Sequence, residues 1–332
     1  MKKKLSLILS VIMVMTSLVA CGQKSAKEEV KPRQEPVVAR VASLKGPTSM
    51  GMVKFIKDEE TSKDKAYEFT IANSVDEITP KLVKGEVDIA AVPANLASVV
   101  YNNTKGGIKT LSINTLGVLY IVSKDESIKN VSDLKGKTIY TSGKGASPEY
   151  VLNYILKSNK IDPAKDLNIV YKTEHTEALA ALVNDPNGIA MLPEPFVSVA
   201  KAKNKDLNIA LDMTKEWDKI NDGKSNLVTG VVVAKKDFIK DHPEKIGDFL
   251  KKYKASIEYT NTNIEDASKL IGDKKIVPGP IAKLAIPKCN IKYIDGQEMK
   301  TSMDKYLKVL FDANPKSVGG KLPGEDFYYI QK

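Results

Sequence analysis

The chain has 332 residues, 42% hydrophobic and 28% charged, with 51 Lys and Arg against 41 Asp and Glu and a net charge of +10. That is an ordinary soluble composition of about two domains, and it excludes a disordered chain, a collagen-like repeat and a polytopic membrane protein. Two cysteines and two histidines are too few for a disulfide scaffold or a Cys/His zinc centre, and only Arg33 and Arg40 among the basic residues are arginine.

Lys2, Lys3 and Lys4 open the chain as a positive n-region, and residues 5–20 are apolar apart from Ser6, Ser10, Thr16 and Ser17. This run is shorter and more interrupted than a span of about 20 apolar residues and fits a secretory h-region. It ends Leu18-Val19-Ala20-Cys21-Gly22, which resembles the bacterial lipobox. The resemblance implies cleavage before Cys21, acylation of Cys21 with chains such as palmitate, and a lipid anchor at the new N-terminus. Residues 1–20 are thus expected to be a lipoprotein signal peptide and residues 21–36, polar and without aromatics, a flexible tether. Removing residues 1–20 takes away three lysines and no acid, leaving 312 residues and a side-chain charge of +7. With Cys21 acylated, Cys289 cannot form an intramolecular disulfide and reads as a small core residue.

From residue 37 strand-like apolar runs alternate with helical patterns, which argues for α/β layers with a mostly parallel sheet. A strand is expected at 37–43, then a Gly/Pro loop, a helix at 49–58, a strand at 67–72 and a helix at 75–84 ending at Gly85. A strand at 87–92, a helix at 94–101, a long extended run at 111–123, a strand at 138–141 and a helix at 148–158 follow. Next come a strand at 167–171, a helix at 177–182, a strand at 189–192, a helix at 194–203, and strands at 207–211 and 227–235. The remainder is helical, at 243–259, 264–271, 280–284 and 296–311. Two echoes run through this order. Ile89-Ala90-Ala91-Val92-Pro93 returns 100 residues later as Ile189-Ala190-Met191-Leu192-Pro193, and Lys45-Gly46-Pro47-Thr48-Ser49 is answered 99 residues later by Lys144-Gly145-Ala146-Ser147. Matching offsets point to two similar lobes rather than a short repeat.

Three stretches resemble the solute-binding lipoproteins of bacterial ABC importers: 82–97 (LVKGEVDIAAVPANLA), 131–140 (VSDLKGKTIY) and 238–259 (FIKDHPEKIGDFLKKYKASIEY). The similarity is greatest to the nitrate/sulfonate/taurine type, which includes binders of thiamine pyrimidine precursors, and it extends over residues 37–313. It implies a bilobal periplasmic-binding-protein fold of type II, α/β, with two mixed sheets, flanking helices and two crossover strands at 112–119 and 227–232. Lobe one would be 37–115 and 231–332, and lobe two 116–230. A monomer anchored on the extracytoplasmic face of the membrane would trap a small nutrient between the lobes and deliver it to an ABC permease. The alternative is an enzyme on the same bilobal fold, of the menaquinone-pathway or pyrimidine-synthase-like kind.

Ligands of α/β proteins bind beyond the carboxyl ends of strands, so the loops there supply the candidate contacts. The first is Lys45, Gly46, Pro47, Thr48, Ser49 and Met50, where glycine admits close backbone approach and free N–H groups at a helix start can hold an anion or a carbonyl. Its counterpart is Ser142, Gly143, Lys144, Gly145 and Ser147. It lacks the glycine spacing of a phosphate loop of the G-x4-G-K-[S/T] kind. Asn95 and Glu194 follow the paired Pro93 and Pro193 strands, and Asn114, Thr115 and Thr229 lie at the crossovers. Glu174-His175-Thr176 is a weaker candidate, and Met50, Met52 and Met191 read mainly as packing. Neither arginine falls in a cleft loop, so the guanidinium fork that grips oxyanions is missing, and the expected ligand is a neutral or weakly charged heterocycle or amide-bearing molecule. His175 and His242 form no metal cluster, no cofactor is expected, and lysines interleaved with acids argue against nucleic-acid binding.

Overall fold

The computed structural model describes residues 37–331, so the expected signal peptide at 1–20, the expected lipid site Cys21 and the expected tether at 21–36 fall outside the described residues. Eleven strands are present among them: β1 Ala39–Leu44, β2 Tyr67–Ala72, β3 Ile89–Pro93, β4 Ile108–Leu116, β5 Leu119–Ser123, β6 Thr138–Ser142, β7 Asn168–Lys172, β8 Ile189–Pro193, β9 Asn208–Asp212, β10 Val228–Lys235 and β11 Ile291–Ile294. They form a six-stranded sheet in the order β11-β4-β10-β3-β1-β2 and a five-stranded sheet in the order β7-β6-β8-β5-β9. Both sheets are mixed and flanked by helices, as the resemblance implied.

The sequence echo has a structural counterpart. In the first sheet β1 pairs in parallel with β2 and β3, and β3 meets β10 antiparallel with Pro93 opposite Gly230. In the second, β6 pairs in parallel with β7 and β8, and β8 meets β5 antiparallel with Pro193 opposite Leu119. Every residue of β3 and of β8 is buried. Strands covered by helices on both faces read as continuous apolar runs, which is why these two are so plain in the sequence.

The extended run at 111–123 divides into β4 and β5, one in each sheet, and the break falls at Gly117-Val118. A Cβ at Gly117 would lie 2.1 Å from Thr214 Oγ1, so the helix Met213–Ile220 closes down on the crossing where only a hydrogen fits. The chain returns through β10. The expected helix at 49–58 is a short turn, Pro47–Met50, followed by Val53–Thr61. Strand β11 and the helix Met213–Ile220 are additions to the expected elements.

One apolar core is continuous through both sheets. It includes Ile113 and Val231 of the first, Ile121 and Ile139 of the second, and Trp217, Tyr306 and Leu310 between them. Cys289 is fully buried, with its Sγ 3.8 Å from Met50 Sδ, and burial pushes its thiol well above the ordinary range. Among the described residues no helix is long and apolar enough to cross a membrane.

Candidate ligand-binding cleft

The carboxyl ends of β1, β3, β6, β7 and β8 open onto a cleft between the two sheets, in two adjoining cavities of about 290 and 90 Å³. Leu44, Lys45, Pro93, Pro148 and His175 belong to the walls of both, so the two are parts of one space. The larger part is basic. Lys45, Lys144 and Lys172 line it against a single carboxylate, Asp76, and Asn73, Ser142 and Thr173 add further donors. Among the described residues none of the three lysines pairs with an acid. Lys144 Nζ lies over the Tyr171 ring, 5.9 Å from its centroid. The smaller part reaches the crossover strands and is walled by Leu44, Pro47, Pro93, Val118, Leu119 and Pro193.

Local sequence explains how these groups are held. Gly143 has φ +79°, a left-handed turn open to glycine, and it brings the chain from β6 into the helix Ser147–Ser158 with Lys144 exposed at the bend. Ser74 and Glu77 form a capping box that fixes the helix Val75–Lys84 beside Asn73 and Asp76. The helix His175–Asn184 starts after β7, and its first-turn N–H groups at His175 and Thr176 find no acceptor among the described residues. Such a helix start favours negative charge. His175 Nδ1 lies 2.5 Å from Ser142 Oγ, with either atom able to donate, and its ring packs on Phe196 with centroids 5.1 Å apart. Burial pulls the imidazole down to about 4, so it is neutral near pH 7 and its Nε2 is unengaged among the described residues.

Of the residues singled out from the sequence, Lys45, Gly46, Pro47, Thr48, Thr115, Ser142, Gly143, Lys144 and Thr229 lie on the cavity walls. The Thr48 hydroxyl donates to Leu44 O at 2.8 Å and the Thr229 hydroxyl to Leu116 O at 2.6 Å, so both also fasten the local backbone. The others lie off the walls. Ser49 Oγ bonds Ser43 Oγ at 2.8 Å, and Met50 packs against Cys289. Asn114 is buried with its Oδ1 accepting from Thr115 Oγ1. Glu194 is buried, its carboxylate accepting from the N–H and hydroxyl of Ser198, and burial raises its pKa. Asn95 donates to Gly145 O and accepts from Ser147 Oγ.

Sequence reasoning passed over Asn73 and Asp76 after β2 and Tyr171, Lys172 and Thr173 at the end of β7, and ranked His175 low. The signal was available, because the rule applied to the ends of β1, β3, β6 and β8 applies equally to β2 and β7.

A protein-family model described as "ABC transporter, phosphonate, periplasmic substrate-binding protein" matches residues 57–276. The YtlA protein of Bacillus subtilis (strain 168) is 24% identical over 270 residues, 79% of this chain and 75% of YtlA. An ABC transporter structure from Parabacteroides distasonis superposes with a TM-score of 0.73 at 23% identity, covering 89% of this chain and 99% of that one. The periplasmic aliphatic sulphonate binding protein SsuA from Escherichia coli does so with a TM-score of 0.70 at 16% identity, covering 90% and 94%. The structural likenesses establish the periplasmic-binding-protein fold. The family match spans more than half of the sequence, and the chain therefore belongs to the phosphonate family of ABC-transporter periplasmic substrate-binding proteins.

Proposed function

We propose that this substrate-binding protein captures a small organic anion with an apolar portion between two lobes, 37–115 with 231–332 and 116–230, for delivery to its ABC permease. The observation that carries the reading is the excess of lysine on the cavity walls, three ammonium groups against one carboxylate, beside the unspent first-turn N–H groups after β7. Ammonium groups and backbone N–H donors can together satisfy a phosphonate, sulfonate or carboxylate without an arginine fork. The apolar walls of the smaller cavity suit a short alkyl segment. This charge balance favours an anion over the neutral heterocycle suggested by the scarcity of arginine. A phosphonate, as in the name of the matching family, and an aliphatic sulphonate, as in that of SsuA, are both of this class. Within the wider group of importers, the resemblance of residues 82–97, 131–140 and 238–259 supports kinship with the nitrate/sulfonate/taurine type. The family supports the transport role, and none of the relatives above is described as an enzyme.

Thermal unfolding in the presence of alkylphosphonates, alkanesulfonates, nitrate and pyrimidines tests the reading. A ligand at 100 times its Kd should add about 2.7 kcal/mol of stability. Stabilisation by a neutral pyrimidine with none by any anion would overturn it. We further infer that Cys21 carries the lipid anchor. The variant Cys21→Ser should then leave the membrane fraction of the producing cell, and unchanged membrane association would refute the anchor.

A further inference from the structure

Asn95, a ligand-contact candidate from the sequence, is fully buried and holds other protein groups. Its Oδ1 accepts from Ser147 Oγ at 3.1 Å, and its Nδ2 donates to Ser317 O at 2.9 Å and to Gly145 O at 3.3 Å. Asn95 lies in the first turn of the helix Ala94–Asn103 that follows β3 of the first sheet. Ser147, also fully buried, opens the helix that follows β6 of the second. The bonds to Ser147 and Gly145 therefore join the two halves of the cleft directly, beside the wall residues Pro93, Ala146 and Pro148, while the bond to Ser317 stays within the first half. Removing one partner of a buried hydrogen bond leaves the other without one, and that penalty disappears once water can reach it. If the sheets part, Ser147 Oγ and Asn95 Oδ1 become hydrated, so the cost of losing the bond between them falls on the closed arrangement alone, whereas the Asn95–Ser317 bond is kept in either.

We infer that Asn95 and Ser147 form a latch that holds the two halves of the cleft together, so that they tune solute affinity from outside the cavity. The position of the equilibrium between closed and open forms scales the apparent affinity for any solute that needs the closed form. Ser98 provides an internal control. It lies on the same helix as Asn95 and its Oγ donates to Val318 O at 2.8 Å, so it supports the same C-terminal segment without reaching the second sheet.

The latch rests on the lobe closure proposed above, but its test uses no ligand, so its failure would leave the anion assignment standing. Hydrogen–deuterium exchange and small-angle scattering would be recorded for the full chain and for Ser147→Ala, Asn95→Ala and Ser98→Ala. Ser147→Ala, which deletes a single oxygen, should raise exchange about tenfold in both 93–98 and 143–147, the factor that corresponds to about 1.4 kcal/mol. It should also enlarge the radius of gyration. Asn95→Ala should do the same and Ser98→Ala should not. Unchanged exchange at 93–98 in Ser147→Ala would overturn the latch. An equal effect of Ser98→Ala would overturn it too, by showing that the C-terminal segment is the part that matters.

Discussion

His175 joins the two cavities, and its charge state follows from its surroundings. Phe196 packs on the ring and Ser142 holds Nδ1, while burial brings the imidazole from 6.5 down to about 4. Above pH 6.5 the ring is neutral in the folded and the unfolded chain alike, and its full contribution to stability is present. Between pH 6.5 and about 4 the unfolded chain binds a proton that the folded chain refuses, so stability falls as the pH falls, by about 3 kcal/mol over the whole window. His175→Gln removes this titration. Urea unfolding at pH 7 and again near pH 4.5 should show the parent chain losing about 2 kcal/mol more than the variant. Equal losses in the two proteins would mean that the imidazole is not held neutral by the fold. The lysines differ in kind. Lys45, Lys144 and Lys172 stand at the wall without an acidic partner among the described residues, and one compact ammonium can turn towards ligands of different shape where a guanidinium fork would fix one geometry.

At the scale of elements, what the sequence disclosed followed what was local. The strands Ile89–Pro93 and Ile189–Pro193 are unbroken apolar runs because helices cover both faces, and the Gly/Ser/Thr loops after β1 and β6 announce close backbone approach. These loops did reach the cleft. The ends of β2 and β7 carry Asn73 and Lys172-Thr173, with no glycine to mark them, so only the carboxyl-end rule pointed there, and the strand order places them beside β1 and β6. The break at Gly117 depends on a helix nearly a hundred residues away in sequence, through Thr214, and no local window contains it. β11 is four residues long and pairs with β4, a partner more than 170 residues earlier in the chain, so its pairing is also non-local. The helix Met213–Ile220 was readable, since Asp212 Oδ1 accepts from the N–H groups of Thr214 and Lys215 as an N-cap. Asn95, Ser147 and Glu194 show the converse. Each sits where a ligand contact was expected, yet each is satisfied by protein, and whether a first-turn side chain faces solute or the opposing half depends on what the opposing half offers.

At the scale of the molecule, two sheets do not make two independent folding units. The helix Gly296–Ala313 follows β11 of the first sheet, and its Tyr306 meets Trp217, with ring centroids 5.5 Å apart, on a helix between β9 of the second sheet and β10 of the first. Ile113, Val231, Ile121 and Ile139 belong to the same buried cluster. A cluster shared in this way couples the unfolding of one half to that of the other, because neither can expose its share of it without stripping its partner. Calorimetry of the full chain should therefore give one transition for both sheets rather than two. Leu310, 1% exposed, lies in that shared core. Leu310→Ala should cost about 3 kcal/mol and lower the single transition by about 5 °C. A variant that splits off a separate melting step for the second sheet, with the first unmoved, would show that the apolar bridge does not couple them. The same coupling determines how a ligand acts. A solute gripped between the sheets adds its binding energy to a structure that melts as a whole, so protection should appear in the strands of both sheets together, including β2 and β9 at their far edges.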